Sequence, residues 1–282
     1  TSTPPPLGSS LPNYDLKVEI DYAGRSVSVE QTIRWQNPSA QALNELLLIT
    51  EPNRYAGGFS LERVEVQDGV SQPTYKLDGN RLTLALAPAL ASGEEIELSL
   101  KYRLALPPIP PPSDMLKPQP YGFTERQMNL VDWYPFIPPL SPQGEWLAHK
   151  PSYFGEFLVY PAVDFRVEIT LINEPADILV AASASNQASE SGKYVYELRA
   201  ARTFALSLNS GYEVVETNVL GVTVRSYFAS YDRAAGEATL GWTAEALDVY
   251  SELYGAYPRE SLSVVEADFL DGMEFDWLYF LS

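Results

Sequence analysis

The 282-residue sequence contains no cysteine and a single histidine, His149. Without cysteine there is no disulfide framework, thiolate zinc site or cysteine nucleophile. One imidazole cannot form the two-histidine zinc sites of many metalloenzymes, and a serine-type triad would have to be built around it. We therefore predict that His149 is a structural or surface residue and that this chain holds no metal or other cofactor.

Basic residues are also scarce, with 19 Lys and Arg against 37 Asp and Glu and a net charge of −18. Nucleic-acid binding draws most of its affinity from basic clusters, so we predict no nucleic-acid partner. No window approaches 18 uninterrupted apolar residues, and we predict no membrane span. The negative charge is unevenly distributed along the chain. Residues 231–282 contain 11 acids and two bases, and so carry half of the net negative charge.

Residues 1–14 have the composition of a flexible Pro/Ser linker, with four prolines among Ser, Thr and Gly. The sequence begins at Thr1 without a Met, and a linker of this kind can follow a removed signal or anchor, which would place the protein outside the cytoplasm. A flexible tail is the alternative, and no signal sequence is present to choose between them. The sequence leaves compartment and oligomeric state open.

Residues 15–213 are predicted to form a large antiparallel β-sandwich. Apolar and polar residues alternate in short runs at 16–20, 27–35, 61–66, 81–86, 94–102 and 164–171, and further strand signals occur at 178–182, 194–198 and 204–208. Another strand signal, at 222–228, lies beyond this domain. Because successive side chains of a strand point to opposite faces, each alternating run is expected to have one buried and one solvent-exposed face. Short strands separated by Gly and Pro are typical of a sandwich.

Residues 104–150 form a different kind of segment within this domain. Eleven of the 23 prolines lie between residues 107 and 142. Proline removes a ladder donor and fixes φ, which predicts an irregular excursion instead of a sheet interior. The segment is also aromatic, and it forms either one wall of a cleft or a rigid lid over the sandwich core; the aromatic residues are Tyr121, Phe123, Trp133, Tyr134 and Phe136.

Residues 214–282 predict the truncated start of an α+β unit. A helix is expected over 237–254, with an apolar stripe made of Leu240, Ala244, Ala246, Leu247, Val249 and Leu253. Gly255 and Pro258 would end it, and a strand follows over 261–267. Four acids then stand among aromatic residues, at Asp268, Asp271, Glu274 and Asp276. Carboxylates in such a setting must be paired, hydrogen-bonded or facing a cleft.

The order of helix, Leu253-Tyr-Gly-Ala-Tyr-Pro258, strand and Asp271-Gly-Met-Glu-Phe275 resembles the membrane alanyl aminopeptidase family of gluzincin zinc metallopeptidases. Weaker similarities occur at Trp133-Tyr-Pro135 and between residues 153 and 167. The resemblance implies a saddle-shaped N-terminal β domain followed by the first part of a thermolysin-like catalytic domain. In that family a Gly-x-Met-Glu-Asn segment lies on an edge strand of the catalytic cleft, and its Glu binds the free α-amine of the peptide.

By this resemblance Glu274 would anchor the amine of a peptide substrate with a free N-terminus, and Gly272 and Met273 would offer main-chain contacts. A partly desolvated carboxylate is a good partner for an ammonium group, and an edge strand can pair with an extended peptide. Two positions depart from the family pattern, since Phe275 replaces Asn and Asp271 replaces Gly. The alternative for Glu274 is a turn carboxylate paired with a basic residue of the N-terminal region.

The family's catalysis needs a zinc ion held by a His-Glu-x-x-His helix and a further Glu. No such helix occurs in the 282 residues. We therefore expect no catalytic residues here, an inactive fragment, and a zinc site only in a full-length protein, beyond Ser282.

Two other functions are compatible with the sequence. A non-enzymatic binding or adhesion module would recognise glycan or protein through Trp133, Tyr134 and Tyr121. A glycosidase would use a carboxylate pair, although nothing in the sequence sets the separation of two carboxyl groups; its candidates are Glu266, Asp268, Asp271 and Glu274.

Overall fold

The computed structural model describes residues 11–66, 70–71, 73–111, 119–152, 156–188 and 190–282. Most of the predicted linker and residues 153–155 of one family-like segment lie outside these ranges. The first strand begins at Asn13, so the last two residues of the predicted linker belong to a sheet.

The N-terminal β region, up to residue 209, consists of strands and one short 3-10 turn (Glu51–Arg54) in its described part. The strands are β1 (Asn13–Asp21), β2 (Ser26–Gln36), β3 (Leu43–Ile49), β4 (Phe59–Val66), β5 (Val70–Ser71), β6 (Tyr75–Asp78), β7 (Arg81–Leu90), β8 (Glu95–Ala105), β9 (Gly122–Phe123), β10 (Met128–Leu130), β11 (Val163–Ile172), β12 (Leu179–Ala182), β13 (Lys193–Ala201) and β14 (Leu206–Asn209).

These strands form three sheets around one core. The largest has the order β13-β11-β1-β2-β8-β4-β5, and the others are β3-β7-β6 and β12-β14-β10-β9. Leu16, Val18 and Ile20 of β1 are buried, as their alternation predicts, and join the same apolar cluster as residues from the two smaller sheets. The mainly β fold is thus confirmed. One pairing is not antiparallel, because β1 runs parallel to β11, with Val18 opposite Ile169.

The described part of the Pro-rich excursion, without residues 112–118, packs into this core. The Trp133 indole donates a hydrogen bond to the Phe204 carbonyl at 3.0 Å, and the Tyr134 hydroxyl accepts one from the Phe204 N–H at 3.2 Å. The Trp133 and Tyr134 rings are buried. The segment therefore forms a lid over the core, as one of the two interpretations predicted, and not one wall of a cleft. A wholly irregular excursion was a wrong prediction, since β10 is an interior strand of the four-stranded sheet.

The C-terminal unit, from residue 212, forms a separate mixed sheet covered by one helix on the described residues. Its elements are β15 (Tyr212–Val219), β16 (Val222–Ala229), a 3-10 turn (Ser230–Asp232), α1 (Arg233–Tyr254), β17 (Ser261–Glu266), β18 (Met273–Phe275) and β19 (Leu278–Leu281). The sheet order is β15-β16-β17-β19-β18, with β16, β17 and β19 parallel. The predicted boundary between residues 213 and 214 falls inside β15.

The helix buries only part of its predicted stripe. Leu247 packs with Val222 and Val224 in a small cluster of its own, and Leu240 lies against it. The stripe was predicted too broadly, because Ala246, Val249 and Leu253 are exposed. α1 begins four residues before the predicted start and ends at Gly255, whose φ of +99° favours glycine. No helix in the described ranges is long and apolar enough to cross a membrane.

Candidate active-site strand

Strand β18 carries the predicted site residues Met273 and Glu274 at the edge of the five-stranded sheet, with Gly272 just before it. It pairs only with β19 among the described strands, and Phe275 faces Leu278 across a two-residue turn. The pair that flanks such a turn exchanges both hydrogen bonds, and the pattern alternates along an antiparallel ladder. The N–H and C=O of Glu274 therefore point away from β19, toward the open edge.

The two faces of β18 meet different surroundings. Met273 and Phe275 pack against the main core, with the Phe275 ring 6.2 Å from that of Phe280. Glu274 lies opposite Tyr279 and shares its face, because directly paired residues project to the same side of a sheet. The Tyr279 hydroxyl is 2.5 Å from Thr243 Oγ1 of α1, so Glu274 lies on the helix side of the sheet.

An open groove of about 620 Å³ runs along this side, between α1 and the sheet. Its lining is mostly apolar and aromatic and includes Leu247, Tyr250, Tyr254, Leu262 and Tyr279. Burial raises the pKa of Tyr279 despite its hydrogen bond to Thr243, so this hydroxyl stays neutral near pH 7. The face of the sheet that carries Glu274 therefore lies next to a groove whose lining residues are uncharged.

The four acids of the C-terminal segment differ in their partners. Asp268 pairs with Arg126, and Asp276 accepts hydrogen bonds from the backbone N–H groups of Arg202 and Thr203. Asp271 accepts one from the N–H of Gly272 at 2.9 Å. Glu274 is exposed, and no described residue forms an ion pair or hydrogen bond with its carboxylate. The structural alternative, a basic partner from the N-terminal region, thus applies to Asp268 and not to Glu274.

The two departures from the family motif have local structural roles. Asp271 adopts a positive φ of +74°, and its N–H donates to Ser282 Oγ at 3.1 Å. At Gly272 an added Cβ would approach the Phe280 carbonyl oxygen to 3.2 Å. The missing side chain at this position therefore relieves crowding within the hairpin itself. Phe275 fills space between the hairpin and the main core.

A turn of the N-terminal β region holds the start of the segment that leads to β18. The Gln127 amide donates to the Tyr212 hydroxyl at 2.6 Å and to the Glu266 carbonyl, while its oxygen accepts from the Asp268 N–H at 2.9 Å. Arg126 pairs with the Asp268 side chain. Burial favours the neutral form of Asp268, but hydrogen bonds from Arg126 and Thr124 outweigh it and lower the pKa.

Glu266 lies beside this turn in a small polar cavity and accepts a hydrogen bond from the Ala229 N–H at 2.7 Å. Burial raises the pKa of Glu266, and the nearby Asp232 carboxylate raises it further. Glu266 therefore interacts with Asp232 and the backbone. Asp268 and Asp271 also have partners, so Glu274 is the one of the four glycosidase candidates whose carboxylate has none among the described residues.

The remaining sequence candidates can also be placed. Trp133, Tyr134 and Tyr121 are 0%, 2% and 5% exposed, so surface recognition through these rings was a wrong prediction. His149 lies on the surface. Within the described ranges, no group of three His, Cys, Asp or Glu side chains could hold a metal ion.

The arrangement of sheets matches solved zinc peptidases. An M1 zinc metallopeptidase from Deinococcus radiodurans matches with a TM-score of 0.65 and 17% identity, over 97% of this chain and 60% of that chain. A variant from the same organism, bound to a Tyr-Ser-Ala substrate, matches with a TM-score of 0.64 and 18% identity over the same shares. A two-domain M1 variant bound to L-tryptophan gives a TM-score of 0.63. The chain shares the fold of the N-terminal part of M1 zinc metallopeptidases.

The likeness extends over nearly all of this chain and 60% of the M1 chains. At 17–18% identity it establishes the fold alone. No family model matches the sequence, and neither does any curated protein. The role of the Gly272–Glu274 segment therefore stays a prediction.

Proposed function

We infer that this chain is the N-terminal portion of a zinc-dependent, aminopeptidase-like metallopeptidase and that β18 binds the N-terminus of its peptide substrate. The observation that carries this proposal is the exposed carboxylate of Glu274, which has no partner among the described residues and lies on a strand at the edge of its sheet. It is supported by the fold shared with M1 zinc metallopeptidases, one of which is bound to a Tyr-Ser-Ala substrate.

In this proposal the Glu274 carboxylate accepts hydrogen bonds from the free α-ammonium group. Such charge-assisted bonds are stronger than neutral ones. The outward N–H and C=O of Glu274 pair with the backbone of the peptide, which adds as a further strand. Gly272 contributes a main-chain contact from the same open edge, whereas the main-chain groups of Met273 bond to β19 and its side chain lies on the core face of the hairpin.

Hydrolysis is not assigned to this chain. The zinc implied by the M1 fold has no fitting ligand set among the residues that the structure describes. We propose that the zinc-binding His-Glu-x-x-His helix belongs to a longer polypeptide, and that these 282 residues alone bind peptide without cleaving it. No catalytic step is therefore attributed to Glu274.

Two experiments test the proposal. Reading the coding sequence past Ser282 should reveal a His-Glu-x-x-His motif within the next hundred or so codons. Its absence there would contradict the peptidase assignment. In a polypeptide that carries the zinc site, Glu274→Gln should raise KM for peptides with a free amine about 10- to 100-fold, as expected for a lost charge-assisted bond. N-acetylated peptides serve as the matched substrate, and an equal rise on both would rule out the amine contact.

A further inference from the structure

The turn between β18 and β19 contacts the N-terminal β region from two sides. Its residues are Asp276 and Trp277, and the opposing segment is 199–203, which comprises the end of β13 and the start of the loop to β14. Asp276 accepts hydrogen bonds from the N–H groups of Arg202 and Thr203, and its own N–H donates to Thr203 Oγ1 at 2.9 Å. One residue of the turn is thus bonded to the other region as both donor and acceptor.

Arg259 makes the second contact, from the loop that precedes β17. Its guanidinium donates to the carbonyl oxygens of Arg199 at 2.9 Å and Ala200 at 3.0 Å. The same group lies over the Trp277 ring, 4.2 Å from its centroid. A planar guanidinium can bond two adjacent acceptors and stack on a ring at once, which a lysine ammonium cannot do.

These contacts hold a turn that has an unfavourable conformation. Trp277 has a φ of +60°, a region that bulky residues rarely adopt without support from their surroundings. The ring packs against the main core, and Arg259 covers it. The position of the turn is therefore set by segment 199–203 as well as by the C-terminal sheet.

We propose that Arg259, Asp276 and Thr203 are positioning residues that fix the β18–β19 hairpin to the N-terminal β region and so determine where Glu274 meets the substrate amine. The inference rests on the proposed function for the identity of that ligand. It adds that a segment of the N-terminal β region, which touches no substrate in this account, governs recognition of the amine. The three side chains act through the turn, since β18 is only three residues long and immediately precedes the turn.

Amide hydrogen exchange of the 282-residue chain tests the contact without any ligand. Thr203→Val removes the acceptor for the Asp276 N–H at nearly constant volume, and Arg259→Met removes the guanidinium while keeping an apolar stem. Both should speed exchange at the Met273 and Phe275 amides, which bond to β19, by about tenfold or more through easier local opening. Thr203→Ser should restore the slow exchange. Arg233→Met is the matched control, because Arg233 pairs with Glu213 and Glu237 away from the hairpin.

The same variants are then titrated with trialanine and with N-acetyl-trialanine, and binding is followed at the β18 amides by NMR. The expected result is that Thr203→Val lowers the preference for the free amine at least about threefold while Thr203→Ser and Arg233→Met keep it. Unchanged β18 exchange in both Thr203→Val and Arg259→Met would overturn the contact. Faster exchange with an unchanged preference would overturn the positioning role. No preference in the unaltered chain would instead refute the proposed function, and the positioning role with it.

Discussion

The N-terminal β region and the C-terminal unit bury their apolar side chains to very different extents. Three sheets of the first region share one core with fully buried Trp133, Tyr134 and Phe204. Beneath α1 the separate cluster has three buried residues, and Trp242, Leu253 and Tyr254 of the helix are 66%, 65% and 83% exposed. The difference shows that an amphipathic pattern predicts which face of a helix is apolar. It does not predict how much of that face is buried by neighbouring elements.

The hairpin β18–β19 belongs to both regions. Leu278 and Phe280 are buried in the main core, whereas Glu274 and Tyr279 face α1. One face of the proposed binding strand is therefore anchored in the dense core, and the other face is open for a ligand. This arrangement lets a densely packed region position an exposed carboxylate.

The largest expected contrast comes from two tryptophans, one in each region. Trp133→Ala should lower the free energy of unfolding by about 3–5 kcal/mol, because it empties a core site and removes the indole bond to Phe204. Trp242→Ala should change it by less than about 0.5 kcal/mol, since the side chain is mostly exposed. Chemical denaturation measures both. Similar losses at the two sites would show that the open face of α1 is covered in solution.

A buried carboxylate of the N-terminal region should make stability depend on pH. Burial raises the pKa of Asp132 to about 6, although the Tyr160 hydroxyl donates a hydrogen bond to it, and Glu51 and Glu156 add to the rise. Between about pH 4 and 6 the folded state therefore keeps a proton on Asp132 that the unfolded chain has released. The stabilisation from protonated Asp132 is complete below about pH 4 and is lost as pH rises through about 6.

Asp132→Asn keeps the acceptor for Tyr160 and suits the positive φ of +51° at this position. The variant should remove the pH dependence between about 4 and 6 and gain at most about 3 kcal/mol at pH 7 relative to the parent, from about two pKa units. Glu274→Gln, at the exposed site, should leave the unfolding free energy unchanged. Denaturation curves at pH 4, 5, 6 and 7 provide the comparison, and a parallel pH dependence in parent and Asp132→Asn would refute the assignment.

Two glycines within α1 should respond in opposite directions to the same substitution. An added Cβ at Gly236 would lie 2.0 Å from the Phe228 ring, whereas at Gly241 it would meet open space. Gly236→Ala should therefore destabilise the protein by about 1–3 kcal/mol through overpacking. Gly241→Ala should stabilise it by about 0.5–1 kcal/mol through helix propensity. Stabilisation by both would mean that α1 does not pack tightly on β16.

Sequence periodicity predicted the strands whose two faces differ, such as β1, and the helix that ends at Gly255. It did not predict β3, where Leu46, Leu47, Leu48 and Ile49 are all buried and alternation disappears. It also missed β15, whose outer residues alternate only between exposed and half-buried positions. The number of buried residues in the apolar stripe of α1 was predicted wrongly, because burial depends on which neighbouring elements cover the helix.

For the candidate site, the motif predicted which residues matter but not how they are held. Arg126, Gln127, Thr203 and Arg259 contact the C-terminal segment from distant sequence positions, and no local pattern distinguishes them from other polar surface residues. Asp268, Asp271 and Asp276 could not be separated from Glu274 by sequence, because their partners are backbone groups or side chains brought together only by the fold.

The central claim is that the Glu274 carboxylate binds a free α-amine. Its most direct test is the dissociation constant of trialanine and of N-acetyl-trialanine for the unaltered 282-residue chain and for Glu274→Gln at pH 7. We predict that the unaltered chain prefers trialanine by about 10-fold or more and that Glu274→Gln binds both peptides equally weakly. Equal binding of the two peptides by the unaltered chain, or a preference that survives in Glu274→Gln, would contradict the claim.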